Sequence, residues 1–170
     1  MATSFSARVV VVDDFEPFQR FIRSTLQSNP ELQVICEAQD GLEAVRIALE
    51  LQPDLILLDI GLPKLNGIEA AREIRKFSPK SKILFVSQES SSDLVLEALG
   101  TGASGYVVKT DAGSELLEAV DAVLQGEKFV SRRLAGYDRT GASDNGPSGS
   151  IRHDKVLVFP APTLPRKGAI

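Results

Sequence analysis

Cysteine and histidine are scarce in this 170-residue chain, so it cannot form sites that need two or more of either residue. Cys36 is the only cysteine and His153 the only histidine, so the sequence excludes an internal disulfide and a histidine-cluster metal site. No apolar run approaches the roughly 18 residues of a membrane helix, and the polar start of the chain does not resemble a signal peptide. We therefore expect a cytoplasmic protein with no membrane partner.

An excess of basic residues is also missing. The chain has 19 lysines and arginines against 23 acidic residues, a formal net charge of −4, which argues against a protein that coats nucleic acid. Hydrophobic residues at 43% and charged residues at 25% are ordinary for a globular protein, so disorder of the whole chain is excluded.

The composition changes near Gly136. Residues 136–170 hold four of the nine prolines and five of the thirteen glycines, and the stretch 140–150 has the composition of a flexible linker. Residues 155–159 (KVLVF) have the composition of a short strand, which the prolines that follow would end. We therefore predict a folded domain at 5–135 and a Gly/Pro/Ser-rich flexible tail at 136–170.

Short apolar runs alternate with helical periodicity throughout the predicted domain. The runs are short, aliphatic and mostly unbroken, as in strands that are buried on both faces of a parallel sheet; they span residues 9–12, 32–36, 55–58, 83–86 and 106–108. Apolar residues at helical spacing follow each run, in residues 18–26, 42–49, 68–74, 94–99 and 116–124. This alternation predicts an α/β fold: a flavodoxin-like, doubly wound, five-stranded parallel sheet of order 2-1-3-4-5 with five helices.

Polar side chains stand at the carboxyl ends of four of these strands. Asp13 and Asp14 follow the first and Asp59 the third, and these two strands are neighbours in the predicted order. Three clustered carboxylates repel one another unless a cation is present, and oxygen ligands alone favour Mg²⁺. Ser87 and Lys109 end the fourth and fifth strands, where a hydroxyl and an ammonium could bind a phosphoryl group.

Each of these residues by itself is typical of a turn, a helix cap or a solvated side chain. Their common place at equivalent strand ends is what indicates a site.

At this point the sequence resembles the receiver domain of bacterial two-component response regulators. The resemblance runs from about residue 7 to residue 134. Within the family, this sequence is most similar to the subfamily with a carboxyl-terminal helix-turn-helix. It rests on residues 9–14 (VVVVDD), 55–67 (LILLDIGLPKLNG), Ser87 and 102–109 (GASGYVVK).

The resemblance implies a phosphoacceptor and a metal site. Asp59 would be the carboxylate nucleophile that forms an acyl phosphate. Asp14 would bind Mg²⁺ directly and Asp13 chiefly through water, with Asp59 and the backbone carbonyl of Gly61 as the remaining protein ligands.

The resemblance also implies a switch. Lys109 would pair with the phosphoryl group, and Ser87 would move to hydrogen-bond it. Tyr106 would be the aromatic residue that turns inward when Ser87 moves, which changes a protein-binding surface.

The implied partners are a sensor histidine kinase and an unknown downstream protein. The resemblance leaves open whether the receiver forms a homodimer. Enzymatic activity would be limited to self-phosphorylation from small phosphodonors and autodephosphorylation. The tail has neither the amphipathic helices nor the basic face of a helix-turn-helix, so we expect no DNA binding by this chain.

Four alternatives remain. The chain could be a non-phosphorylated receiver-like binding module, although the intact set of polar residues argues against it, or the receiver part of a transcription regulator without its output domain. A haloacid-dehalogenase-like phosphohydrolase would need a second acid where Gly61 stands. A flavin carrier is disfavoured because the acidic edge of the sheet would repel phosphate.

Overall fold

Six parallel strands form one sheet in the order β2-β1-β3-β4-β5-β6, with five helices packed on its two faces. The computed structural model describes residues 5–135. The strands are β1 (Ala7–Val12), β2 (Leu32–Ala38), β3 (Leu55–Leu58), β4 (Lys82–Ser87), β5 (Gly105–Val108) and β6 (Phe129–Val130). The helices are α1 (Glu16–Gln27), α2 (Gly41–Leu51), α3 (Gly67–Phe77), α4 (Ser92–Gly100) and α5 (Ala112–Leu124), with 3₁₀ turns at Lys109–Asp111 and Arg132–Leu134.

The predicted α/β fold and the order of its first five strands are confirmed. The count of five strands was wrong by one, because β6 pairs in parallel with β5 at the edge of the sheet. A two-residue strand has no periodicity that a sequence pattern could reveal, and this one depends on the chain returning to β5 after α5.

Two hydrophobic layers enclose the sheet. Along β1, Val10 and Val12 pack on the side of α2, α3 and α4, whereas Val9 and Val11 pack on the side of α1 and α5. Successive side chains of a strand point to opposite faces, so an unbroken apolar run serves both layers. β2 is more exposed than the central strands, as its predicted place at the sheet edge requires.

The helix starts show which polar residues act as caps. The side chains of Asp40 and Asn66 accept hydrogen bonds from backbone N–H groups of the first turns of α2 and α3. At the start of α4 the capping residue is Ser91, and its side chain makes no capping hydrogen bond.

The predicted flexible tail and the strand at 155–159 lie outside the described residues, and the domain boundary near residue 135 stays a prediction. Among the helices between residues 5 and 135, none has the length and apolar composition required to cross a membrane.

Candidate functional site

Three carboxylates meet at the carboxyl ends of β1 and β3. The two strands are paired with Val12 opposite Leu58, so the residues that follow them, Asp13 and Asp59, leave the sheet at the same level. Asp14 joins them, and one carboxylate oxygen from each residue lies within 4.8 Å of the others. Asp13 and Asp59 are buried, whereas Asp14 is exposed. The cluster is thus open to solvent on the side of Asp14.

Lys109 reaches this cluster from β5. Its Nζ lies 2.6 Å from Oδ2 of Asp13 and 3.1 Å from Oδ2 of Asp59. The ammonium also lies 4.6 Å from the centre of the Phe18 ring, on α1. Burial by itself lowers the pKa of Lys109, but the hydrogen bonds and charges of the two aspartates outweigh burial and leave the pKa above its usual value. The lysine is therefore protonated at neutral pH.

The charge of Asp13 is costly in this position. Burial is the largest influence and raises the pKa of Asp13, and the charge of Asp59 adds to the effect. Hydrogen bonds from Lys109 and from the backbone N–H of Phe15 act in the opposite direction without cancelling it. Three carboxylates beside one ammonium leave an excess of negative charge, so the oxygen donors of this cluster fit a divalent cation.

The loop between β3 and α3 fixes Asp59. Oδ1 of Asp59 accepts a hydrogen bond from the backbone N–H of Ile60 at 2.8 Å, and the N–H of Gly67 donates to the carbonyl of Ile60 at 2.8 Å. A Cβ at Gly67 would lie 1.9 Å from the backbone carbonyl oxygen of Asp59, so only glycine permits this approach. Gly61 is exposed, and a Cβ there would have nothing within 4 Å. Within residues 5–135 no hydrogen-bond donor reaches its carbonyl. That carbonyl is free to bind a ligand.

Ser87 and Tyr106 share a partner, the backbone of Glu89. The hydroxyl oxygen of Ser87 accepts a hydrogen bond from the Glu89 N–H at 3.2 Å, and the Tyr106 hydroxyl donates to the Glu89 carbonyl at 2.7 Å. Tyr106 is fully buried, with its ring centre 6.1 Å from that of Phe85. Burial raises the pKa of Tyr106 to about 12. The tyrosine thus faces inward in this structure, and the Glu89 backbone links it to Ser87.

The family follows from comparison with known proteins. Residues 9–121 match the family model described as the response regulator receiver domain. The chain belongs to this family. Its receiver domain is 35% identical to a two-component response regulator of the LuxR family from Aurantimonas sp. SI85-9A1, with a TM-score of 0.75 over 79% of this chain and 99% of that one.

Curated relatives of the receiver domain are longer proteins. The chain is 34% identical over 150 residues to the transcriptional regulatory protein DegU of Brevibacillus brevis, covering 82% of this chain and 64% of the relative. It is 35% identical over 129 residues to the transcriptional regulatory protein LiaR of Bacillus subtilis, covering 76% of this chain and 61% of that protein. The chain therefore spans about three fifths of the length of these relatives.

Sequence reasoning missed several residues around the receiver site. Phe18 was assigned only to the apolar face of α1, although its ring also contacts the Lys109 ammonium. Gln19 is buried, and its side chain donates to the carbonyl of Ala38 at the end of β2. The available signal for Gln19 was its helical spacing from the apolar residues Ile22 and Leu26 on the buried face of α1. The partners of Ser87 and Tyr106 had none, because they are backbone atoms of Glu89.

Proposed function

We propose that this receiver domain accepts a phosphoryl group on Asp59 from a sensor histidine kinase in the cytoplasm. The observation that carries the proposal is the contact between the Lys109 ammonium and Oδ2 of Asp59 beside two further carboxylates. A positive charge this close to Asp59 would offset the negative charge of a transferred phosphoryl group. Phosphoryl transfer depends mainly on such positioning and charge neutralisation.

The proposed transfer moves a phosphoryl group from a histidine nitrogen of the kinase to a carboxylate oxygen of Asp59. An oxygen of the Asp59 carboxylate bonds to the phosphorus of the kinase phosphohistidine while the phosphorus–nitrogen bond breaks. The electron pair of that bond stays on the imidazole, and Asp59 becomes an acyl phosphate. Water later attacks the phosphorus, which restores the carboxylate and releases inorganic phosphate.

Asp13, Asp14 and Asp59 would hold Mg²⁺, with the free carbonyl of Gly61 as a further ligand. When bound, Mg²⁺ offsets negative charge on the phosphoryl oxygens. Lys109, which binds Asp13 and Asp59 in this structure, would pair with the phosphoryl group after transfer.

The output proposed here is a change of a protein-binding surface. Moving a two-state surface from 1:99 to 99:1 requires about 5.5 kcal/mol, more than the roughly 1.5–3 kcal/mol of one hydrogen bond to a charged group. Ser87 would therefore act together with Lys109 and with the Glu89 backbone that also binds Tyr106. The proposal does not name the downstream protein, and it holds for a monomer as well as for a homodimer.

Phosphorylation of the chain by acetyl phosphate tests the proposal. We expect a Mg²⁺-dependent mass increase of one phosphoryl group, located at Asp59 by peptide mapping, and its loss in Asp59→Asn. Asp54 precedes β3 at the opposite end of the strand, where it accepts a hydrogen bond from the Arg8 N–H. Asp54→Asn is therefore the matched control and should keep the modification. Phosphorylation that survives in Asp59→Asn, or none in the wild type, would favour the non-phosphorylated binding module.

A second candidate is that the chain serves as the receiver part of a transcription regulator. It is favoured because DegU and LiaR are transcriptional regulatory proteins and because the chain spans only about three fifths of their length. Titration of labelled duplex DNA with the chain, with and without acetyl phosphate, tests whether these residues bind DNA themselves. We expect no binding, because the chain carries a net negative charge.

A further inference from the structure

The residues that follow α5 return to the strand that leads to Lys109. We call residues 129–135 the return segment. Its first two residues form β6, with Phe129 opposite Gly105 and Val130 opposite Tyr106. A Cβ at Gly105 would lie 2.4 Å from the carbonyl oxygen of Phe129, so the two backbones are in close contact.

Ser131 binds β5 on the amino-terminal side of Lys109. Its backbone N–H donates to the Tyr106 carbonyl at 2.9 Å, and its hydroxyl oxygen accepts from the Val108 N–H at 2.9 Å. Ser131 is fully buried. Val108 directly precedes Lys109, so the return segment fixes the backbone at the point where the lysine leaves the strand.

Arg133 binds the 3₁₀ turn that follows β5. Its Nε and one terminal nitrogen donate to the two carboxylate oxygens of Asp111, at 2.5 and 2.7 Å. Asp111 is the last residue of the 3₁₀ turn that begins at Lys109. The next residue of the return segment, Leu134, is buried in the core on the side of α2, α3 and α4. The turn is therefore held between a buried serine and an anchored arginine.

Arg132 differs from its neighbour in what it binds. Its side chain donates to Glu118 on α5 at 2.5 Å, and its backbone N–H donates to Glu115 on the same helix at 3.1 Å. Among the contacts of residues 5–135, Arg132 makes no hydrogen bond to the turn at Lys109–Asp111. Arg132 therefore fixes the return segment to α5, whereas Arg133 fixes it to the turn at Lys109–Asp111.

We propose that Ser131 and Arg133 are positioning residues for Lys109, which act through Val108 and Asp111. Together they hold the turn in the position from which Nζ reaches Asp13 and Asp59 across the end of β4. This inference rests on the proposed function, since it assigns a role in phosphoryl transfer to residues outside the site.

Phosphorylation rates of the full 170-residue chain test this role. With acetyl phosphate and Mg²⁺, we expect Arg133→Ala to lower the rate constant at Asp59 about two- to fivefold, the range set by a partly exposed ion pair. Ser131→Ala should also lower it, and Ser131→Thr, which keeps the hydroxyl, should restore it. Arg132→Ala is the matched control and should react at the wild-type rate. Urea unfolding of each variant checks that the fold persists.

A double-mutant cycle with Lys109 separates positioning from a general structural effect. If Arg133 acts through Lys109, then Arg133→Ala does not lower the phosphorylation rate constant further in a chain that already carries Lys109→Ala. Because Lys109→Ala itself reacts slowly, these rates are measured over longer incubation. Equal slowing by Arg132→Ala, or an undiminished effect of Arg133→Ala in that background, would overturn the inference. Wild-type rates in both Arg133→Ala and Ser131→Ala would overturn it too, while leaving the proposed function intact. Absence of any Asp59 phosphorylation in the wild type would instead remove the proposed function.

Discussion

Asp13 and Asp14 are adjacent in sequence, but only one of them lies inside the protein. Asp13 is 1% exposed, whereas Asp14 faces solvent. Burial raises the pKa of Asp13 despite the ammonium of Lys109 at 2.6 Å, so the folded state binds a proton at this carboxyl more tightly than the unfolded state does. The ionised carboxylate therefore lowers the stability of the fold at neutral pH, and protonation at acidic pH removes that cost.

We expect Asp13→Asn to raise the free energy of unfolding at neutral pH in EDTA, by the order of 1 kcal/mol that is usual for one substitution. The difference should shrink at acidic pH, where the wild-type carboxyl is protonated. Mg²⁺ should stabilise the wild type by about 2.7 kcal/mol at one hundred times its dissociation constant, and Asp13→Asn much less. Urea unfolding with EDTA or MgCl₂ measures both effects.

Asp14→Asn is the control for this prediction, since it removes the same charge from an exposed position. It should change stability little in EDTA. A lower stability of Asp13→Asn than of the wild type in EDTA would show that the contact with Lys109 outweighs the cost of burial.

At the scale of elements, the loop between β3 and α3 depends on glycine where two backbones meet. The Cα of Gly67, the first residue of α3, packs against the carbonyl of Asp59. Gly41, the first residue of α2, packs in the same way against the carbonyl of Leu65, where a Cβ would lie 1.9 Å from the oxygen. Both contacts fix the loop that follows Asp59.

Gly67→Ala should lower the free energy of unfolding toward the upper end of the ~1–3 kcal/mol typical of overpacking, because the new Cβ meets backbone that cannot move alone. It should also slow phosphorylation at Asp59. Gly113→Ala is the control: it lies in α5 with nothing within 4 Å of the new Cβ, and it should stabilise the protein by about 0.5–1 kcal/mol. Urea unfolding compares the two, and equal effects would contradict the packing argument.

At the scale of the whole molecule, the two hydrophobic layers share the strands of one sheet. Ile74 lies in the layer of α2, α3 and α4, and Leu116 in the layer of α1 and α5; both are fully buried. Because the same backbone hydrogen bonds support both layers, neither layer can unfold and leave the other intact.

Ile74→Ala and Leu116→Ala should each lower the free energy of unfolding by about 2–5 kcal/mol. Each should move a single cooperative transition rather than create a second one. Urea titrations followed by far-ultraviolet circular dichroism and by tyrosine fluorescence should give coincident curves for both variants. Curves that separate in either variant would show that the layers unfold independently.

Much of the fold could be predicted because each central strand is an unbroken apolar run. The run at residues 9–12 contributes side chains to both layers, and its unbroken apolar sequence is enough to predict this. The meeting of Asp13 and Asp59 could be predicted for a related reason, since neighbouring parallel strands end at one edge of the sheet. The role of each residue in phosphoryl transfer stays a prediction that the experiments above test.

Other parts of the structure could not be predicted. β6, Ser131 and the pair of Arg133 with Asp111 depend on where α5 directs the chain, and no local pattern encodes that direction. The different burial of Asp13 and Asp14 was also hidden, because two identical side chains in succession carry no pattern that distinguishes them.

The strand–helix alternation, the family and the gathering of acidic residues at one edge could all be read from the amino-acid sequence, because periodicity and strand-end position are properties of the chain. Three features are set by the fold instead: which aspartate is buried, which oxygens Lys109 binds and how the return segment holds the turn at Lys109–Asp111. These depend on distances between residues far apart in sequence, as between Asp59 and Lys109, and packing in three dimensions sets such distances.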